Sequence, residues 1–365
     1  MALSVGIVGL PNVGKSTLFN AITNAGAEAQ NYPFCTIEPN TGIVAIEDER
    51  LDILAKITGT KTIIYSTIKF VDIAGLVKGA SQGEGLGNKF LSNIREVSVI
   101  AHVVRAFEDE NIVHVSGRID PIDDIKTINL ELIMADLELA EKAFSNIEKK
   151  AKQLAEKSAK EKAEILKRII KVLEEEKSVR SLGLSEEESF LIKEYSFLTE
   201  KKVIFVANIS EDMIGKAIDR IQKIANYARE NDCEFVVVCA KVEEEISKLD
   251  RAEKKEYLEA LGIEKSGLDI ICKKCFDLLG LQTYLTTGEK ETRAWTINKG
   301  DTAPKAAGVI HTDFERGFIR ANVVSYNDFV RCNGFKKVKE EGLLRQEGKE
   351  YVMQDGDIVE FLFNV

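Results

Sequence analysis

Short apolar runs alternate with amphipathic stretches over the first part of the chain, to about residue 125. Val5-Gly6-Ile7-Val8 reads as a buried strand, and Leu18-Phe19-Asn20-Ala21-Ile22 carries helical spacing. Ile68-Lys69-Phe70-Val71 and Val99-Ile100-Ala101 are further strand-like runs, and the pattern resumes at Val203–Asn208 and Phe235–Cys239. Strand and helix in alternation predict an α/β fold built on a doubly wound parallel sheet. Residues 127–198 break the alternation: they are rich in Ala, Glu and Lys with almost no strand signal. Phe144, Ile147, Ala151 and Leu154 recur at spacings of 3, 4 and 3, and Leu166, Ile170 and Leu173 answer at 4 and 3. With Lys157-Ser158-Ala159-Lys160 as the turn, this predicts an antiparallel helical hairpin inserted into the sheet domain. From about Leu278 the chain becomes β-rich. Trp295-Thr296-Ile297, Phe318–Val324 and Ile358–Phe363 read as strands, with Asp355-Gly356-Asp357 as a hairpin-like turn. The expected domains are 1–126 with 199–277, the insertion 127–198, and a C-terminal domain 278–365.

The first strand runs straight into Gly9-Leu10-Pro11-Asn12-Val13-Gly14-Lys15-Ser16-Thr17, a full G-x-x-x-x-G-K-[ST] loop followed by a helix. Glycines let main-chain N–H groups turn inward around α- and β-phosphates. Lys15 can reach the β- and γ-phosphates, and the Ser16 hydroxyl can ligate Mg²⁺ at a helix N-terminus already biased toward anions. Asn12, Val13, Gly14, Lys15, Ser16 and Thr17 are therefore the expected phosphate-binding residues of a nucleoside triphosphate site. Asp72-Ile73-Ala74-Gly75 follows a strand, as the D-x-x-G of a nucleotide switch does. Asp72 would hold Mg²⁺ and the Gly75 N–H would meet the γ-phosphate. Thr36, in Asn31-Tyr32-Pro33-Phe34-Cys35-Thr36, is the candidate second hydroxyl ligand of the metal.

These segments carry a resemblance. Asn31–Thr36, Asp72-Ile73-Ala74-Gly75-Leu76-Val77-Lys78-Gly79-Ala80-Ser81 and Gly83-Glu84-Gly85-Leu86-Gly87-Asn88-Lys89-Phe90-Leu91 are similar to the Obg branch of P-loop switch proteins, and within it to the YchF family of Obg-like ATPases. Thr292–Ile297, Ala306–Ile319 and the ending Asp355–Val365 resemble that family's TGS domain, a ubiquitin-like α/β module. The resemblance spans essentially the whole chain. It implies ATP as the preferred nucleotide and the ribosome (50S or 70S) as the partner, with the helical insertion and the TGS domain flanking a cleft open to RNA.

The base-recognition segment departs from a GTPase in a readable way. Asn208-Ile209-Ser210-Glu211 stands where GTPases carry Asn-Lys-x-Asp. In that motif the Asp carboxylate accepts from guanine N1–H and N2–H₂; adenine offers N1 as an acceptor and has no 2-amino group. Glu211 is one methylene longer, Ile209 gives the ring an apolar wall, and the Asn208 amide can bond the base edge. A mismatched polar edge in a buried site discriminates by factors of about 10⁴. Cys239-Ala240-Lys241 takes the place of the short loop that touches the base in GTPases. ATP over GTP is the expectation, with a GTPase in ribosome assembly as the alternative.

Catalysis is less fully written. Leu76 occupies the place of the water-orienting Gln of Ras-like enzymes and can neither donate nor accept. Of the three histidines, His102 lies in a hydrophobic run and reads as core, while His311 belongs to the C-terminal domain. His114, in a polar loop after a strand, matches the histidine that the resemblance gives as the water-positioning residue; the competing reading is a surface loop histidine. Asn12 is either a turn residue or a ligand for an activating potassium ion. Arg95 is either an internal charge donor or, as its setting favours, a solvated helix residue.

Composition narrows the setting. At 365 residues the chain has room for two or three domains, and no apolar run approaches the roughly 18 residues of a membrane span. Met1-Ala2-Leu3-Ser4 lacks the charged start of a signal peptide, and six scattered cysteines suit a reduced compartment, so a cytoplasmic enzyme is expected. Cys272-Lys273-Lys274-Cys275 has no second pair to complete a zinc site and reads as two thiols one helical turn apart. The net charge of −10 gives no bulk reason to expect nucleic acid. A nucleotide-gated binding module with incidental turnover is the reading from outside the enzymes.

Overall fold

The computed structural model describes residues 4–25, 40–73, 86–113, 118–154 and 157–364. Strand β1 (Ser4–Val8) leads through the glycine loop into α1 (Lys15–Ala25). Then come β2 (Thr41–Ile46), α2 (Glu49–Thr58), β3 (Ile63–Ile64), β4 (Ser66–Asp72), α3 (Leu86–Glu96) and β5 (Val99–Arg105). Two long helices, α4 (Pro121–Leu154) and α5 (Lys157–Glu174), and the short α6 (Glu186–Ile192) precede β6 (Lys202–Asn208). The first sheet closes with α7 (Asp219–Glu230), β7 (Glu234–Val238), α8 (Ala240–Ile246), α9 (Arg251–Ala260) and α10 (Gly267–Leu278). Its strand order is β2-β4-β1-β5-β6-β7, and β4, β1, β5, β6 and β7 pair in parallel. Every residue of β5 is buried, as expected of a central parallel strand covered on both faces. His102 sits there at 2% exposure beside the Phe205 ring, and burial pushes its pKa down to about 3.

The helical insertion begins at Pro121, ahead of residue 127. Asp120 accepts from the amides of Ile122 and Asp123, and proline stands at the first helical position, where no N–H is needed. At 34 residues α4 is on the order of 50 Å long. Ala140 and Ala143 meet Ile165, Leu166, Ile169 and Leu173 of α5, with Phe144, Ile147 and Ile170 at the margin. Lys157–Lys160, expected as the turn, are instead the first residues of α5. The segment holds no Gly or Pro, Lys and Ala are strong helix formers, and Ala159 is buried.

At the base of the insertion, the fully buried Asp136 carboxylate accepts from the Leu198 and Thr199 amides at 2.9 and 2.7 Å and from the Thr199 hydroxyl at 2.8 Å. Burial raises its pKa against these bonds. Arg95 is not a freely solvated residue: it donates to the carbonyls of Tyr195 and Ser196 at 3.3 and 3.2 Å. Lys201 in turn reaches the carbonyls of Arg95 and Val97 at the end of α3.

A second six-stranded sheet, in the order β11-β10-β12-β8-β9-β3, is formed by β8 (Leu281–Thr287), β9 (Thr292–Asn298), β10 (Phe318–Ser325), β11 (Arg345–Glu347) and β12 (Asp357–Phe363) together with β3. Helices α11 (Ala303–Ile310) and α12 (Thr312–Arg316) belong to its first face, and α13 (Tyr326–Cys332) and α14 (Phe335–Glu340) to its second. In β12 the side chains alternate, Val359 joining the first core and Ile358 the second.

The described residues fall into two units, 4–25, 40–42 and 69–271 in one, 43–68 and 272–364 in the other. The sequence pattern places 43–68 in the nucleotide domain. Instead, Leu51 and Leu54 of α2, both fully buried, pack with Leu285, Val324, Phe329 and Ile358. Arg50 fixes this segment through Asp48, Asp355 at 2.8 Å and Thr283 at 3.0 Å. Cys272 and Cys275 are both buried, and burial pushes the Cys275 thiol up to about 12. Among the described residues no helix is long and apolar enough to cross a membrane.

Candidate nucleotide site

The glycine loop runs from the end of β1 to the start of α1, where the first amides of a helix lack partners within it. Asn12 takes a left-handed conformation at φ 63° and Gly14 one at φ 95°. A side chain at Gly14 would collide with the Asn208 amide, so glycine is required on both counts. Val13 is buried, Ser16 is exposed at the helix start, and Thr17 is half-buried.

Lys15 is 9% exposed, and its ammonium donates to the Leu10 carbonyl at 2.7 Å, folding back over the loop. Burial lowers its pKa to about 8, opposed by the Asp72 carboxylate. Asp72, at the end of β4, is itself raised by burial and held down by Lys15. Its main-chain N–H bonds the Asn40 carbonyl at 2.9 Å. A buried cation and a carboxylate thus face each other beside the loop that would wrap a polyphosphate.

Ser16 and Asp72 are hard oxygen donors, which suit a small divalent cation. Among the described residues no three His, Cys, Asp or Glu side chains gather as a ready metal site. Such a donor set fits an ion that also takes phosphate oxygens and water. Thr36, Gly75 and His114 lie outside the described residues, as does Leu76.

The side expected to face the base is built from the ends of β6 and β7. Asn208, at 5% exposure, donates from Nδ2 to the Val13 carbonyl at 2.9 Å and accepts at Oδ1 from the Ala240 amide at 3.0 Å. The sequence assigns this amide to the base edge; in the structure it ties the phosphate loop to Ala240, the first residue of α8. Ile209 is buried, with its N–H on the Val238 carbonyl. The three residues that follow it, Ser210, Glu211 and Asp212, line a cavity of about 600 Å³ together with Asp109, Cys239, Lys241 and Leu261. Glu211 and Lys241 are exposed into solvent, and burial raises the Cys239 thiol pKa. Asp109 and Leu261 carry no local motif, since they reach the cavity from a loop after β5 and from the end of α9.

Asn12 donates from Nδ2 to the Val113 carbonyl at 3.2 Å, which joins the phosphate loop to the residue just before His114.

A family model described as a 50S ribosome-binding GTPase matches residues 4–209, and the YchF GTPase C-terminal model, described as a protein of unknown function, matches residues 281–364. The chain is 55% identical to the ribosome-binding ATPase YchF of Bacillus subtilis and 52% identical to that of Escherichia coli O157:H7, covering all of both chains in each case. Among solved structures it is similar to the Schizosaccharomyces pombe YchF GTPase, with a TM-score of 0.89 and 39% identity over 99% of this chain and 97% of that one.

Proposed function

Because the chain belongs to the YchF family of P-loop proteins, we propose that it hydrolyses ATP to ADP and phosphate and binds the ribosome as a translation- or stress-linked nucleotide switch. The observation that carries the adenine reading is the cavity beside Ile209. Its acidic groups are Glu211, Asp212 and Asp109, and an Asn-Ile-Ser-Glu segment stands in place of the guanine-reading motif. A carboxylate there can accept from the N6 amine of adenine or the N2 amine of guanine, so what favours adenine is the replacement of the guanine motif's Lys and Asp by the apolar Ile209 and the longer Glu211.

The family works with a divalent metal ion, and Mg²⁺ is our assignment, with Ser16, Asp72 and Thr36 as its protein donors. When bound, it neutralises charge on the β- and γ-phosphates. Lys15 leaves the Leu10 carbonyl to meet those oxygens, and the Gly75 N–H meets the γ-phosphate. His114 would position the attacking water, and the Asn12 amide oxygen would help hold a potassium ion, which would supply positive charge at the phosphates. The C-terminal sheet unit is the TGS domain, and the setting is the cytoplasm.

A second reading is favoured by two descriptions: the matching family model and the S. pombe structure are both described as GTPases. Turnover of ATP and GTP, each with and without 70S ribosomes, separates the two. ATP turnover that ribosomes stimulate at least tenfold supports the proposal. GTP turnover exceeding ATP turnover contradicts it. Ribosome binding that depends on nucleotide while turnover stays near about 10⁻⁴ s⁻¹ marks a gated binding module.

A further inference from the structure

Arg105 closes β5 at 1% exposure, among the largest fully buried side chains of the protein. It pairs in register with Asn208 on β6. Three of its nitrogens donate to main-chain carbonyls of the segment that follows: Nε to Phe107 at 3.2 Å, Nη2 to Asp109 at 3.2 Å and Nη1 to Ile112 at 3.0 Å. The guanidinium also lies over the Phe107 ring, 4.6 Å from its centre. The Ile112 N–H returns to the Asp109 carbonyl, and the Asn111 N–H to the Asp109 side chain. Arg220 of α7 holds the near end through the Ala106 carbonyl and Glu108.

This segment has little apolar material to hold it. Glu110 and Asn111 are exposed, and Val113 is 75% exposed, so side-chain packing does not set where residue 113 lies. The buried fork of N–H groups does the work that a core would otherwise do. The segment touches the nucleotide site at two points: Asp109 lines the base cavity, and the Val113 carbonyl accepts from Asn12 of the phosphate loop.

We propose that Arg105 is a positioning residue for turnover, which through the main chain of 106–113 holds Asp109 at the base cavity and the Val113 carbonyl on Asn12. A buried guanidinium needs its donors satisfied, and a lysine, whose three donors sit on one atom, does not span carbonyls placed around the guanidinium's fork. The proposal rests on the reading of the site as an ATPase.

The test uses the full-length protein with Arg105→Met, Arg105→Lys, Asn12→Gly and the Arg105→Met/Asn12→Gly double variant. Each is assayed well below its unfolding temperature for kcat, KM and amide hydrogen exchange in the nucleotide-free state. Asn12→Gly keeps the left-handed backbone and deletes the amide. Arg105→Met is expected to lower kcat at least tenfold, with a smaller change in KM, and to speed exchange within 106–113 at least tenfold while β1 and β6 keep their protection. Arg105→Lys should fall between. Within 106–113 the double variant should exchange no faster than the faster single variant, because both changes release the same anchor, whereas its kcat also carries the loss of the Asn12 amide from the phosphate loop. A kcat within twofold of the parent in folded Arg105→Met overturns the proposal, and so do multiplicative effects of the two substitutions on exchange in 106–113. If Arg105→Met does not fold, Arg105→Lys is judged by the same twofold limit. Absence of ATP turnover in the unaltered protein would count against the assigned activity, and exchange in 106–113 would then decide the role of Arg105 alone.

Discussion

Asn208 donates to the Val13 carbonyl at 2.9 Å while its oxygen receives the Ala240 amide at 3.0 Å, so one buried side chain fastens the phosphate loop to the base loop. Asn208→Ala leaves a carbonyl and an N–H buried without partners, a loss of about 2–4 kcal/mol in stability. Nucleotide affinity should fall at least tenfold in the folded variant, because the two halves of the site lose their common fastening. Urea unfolding and titration with a fluorescent ATP analogue measure the two effects separately.

The buried His102 makes stability depend on pH in one direction. Unfolded, it takes up a proton as the pH falls through 6.5; folded, it excludes that proton until about 3. Its contribution is therefore intact above 6.5 and declines between 6.5 and 3, at up to about 1.4 kcal/mol per pH unit. Between pH 6.5 and 5 the parent should lose about 2 kcal/mol more than His102→Leu. Parallel urea curves at the two pH values, differing by the same amount in both proteins, would contradict this.

Asp136 anchors the helical insertion with three hydrogen bonds. Asp136→Ala should weaken that anchor by about 3 kcal/mol, equivalent to roughly 100-fold faster exchange at the Leu198 and Thr199 amides. Protection in β5 and β6 should be unchanged.

Cys272 and Cys275 should resist alkylation in the native protein, since both are buried and the Cys275 thiol is pushed up to about 12. Mass spectrometry after native and denaturing treatment with iodoacetamide should find them labelled only in the second.

The sequence made the phosphate loop legible because its chemistry is contiguous: strand, glycine turn, lysine and helix follow one another within Val5–Ile22. Parallel strands were visible for a related reason, since burial on both faces leaves unbroken apolar runs such as Val203–Ala207. The placement of α2 was not legible, because Leu51 and Leu54 say that a helix has an apolar face without saying which sheet receives it. The role of Asn208 depends on three segments, at 13, 208 and 240, meeting in space, and no local pattern encodes that. Arg105 reads in sequence as a polar residue ending a strand; only its burial and its three carbonyl partners set it apart. The hairpin turn was misplaced because Lys157–Lys160 has the composition of a helix.

The central claim is that the pocket beside Ile209 accepts adenine. The most direct measurement is calorimetric titration of nucleotide-free protein with non-hydrolysable ATP and GTP analogues, each with Mg²⁺. At least tenfold tighter binding of the adenine analogue is expected. Equal or reversed affinities would contradict the reading of Ile209 and Glu211 and return the chain to the GTPases.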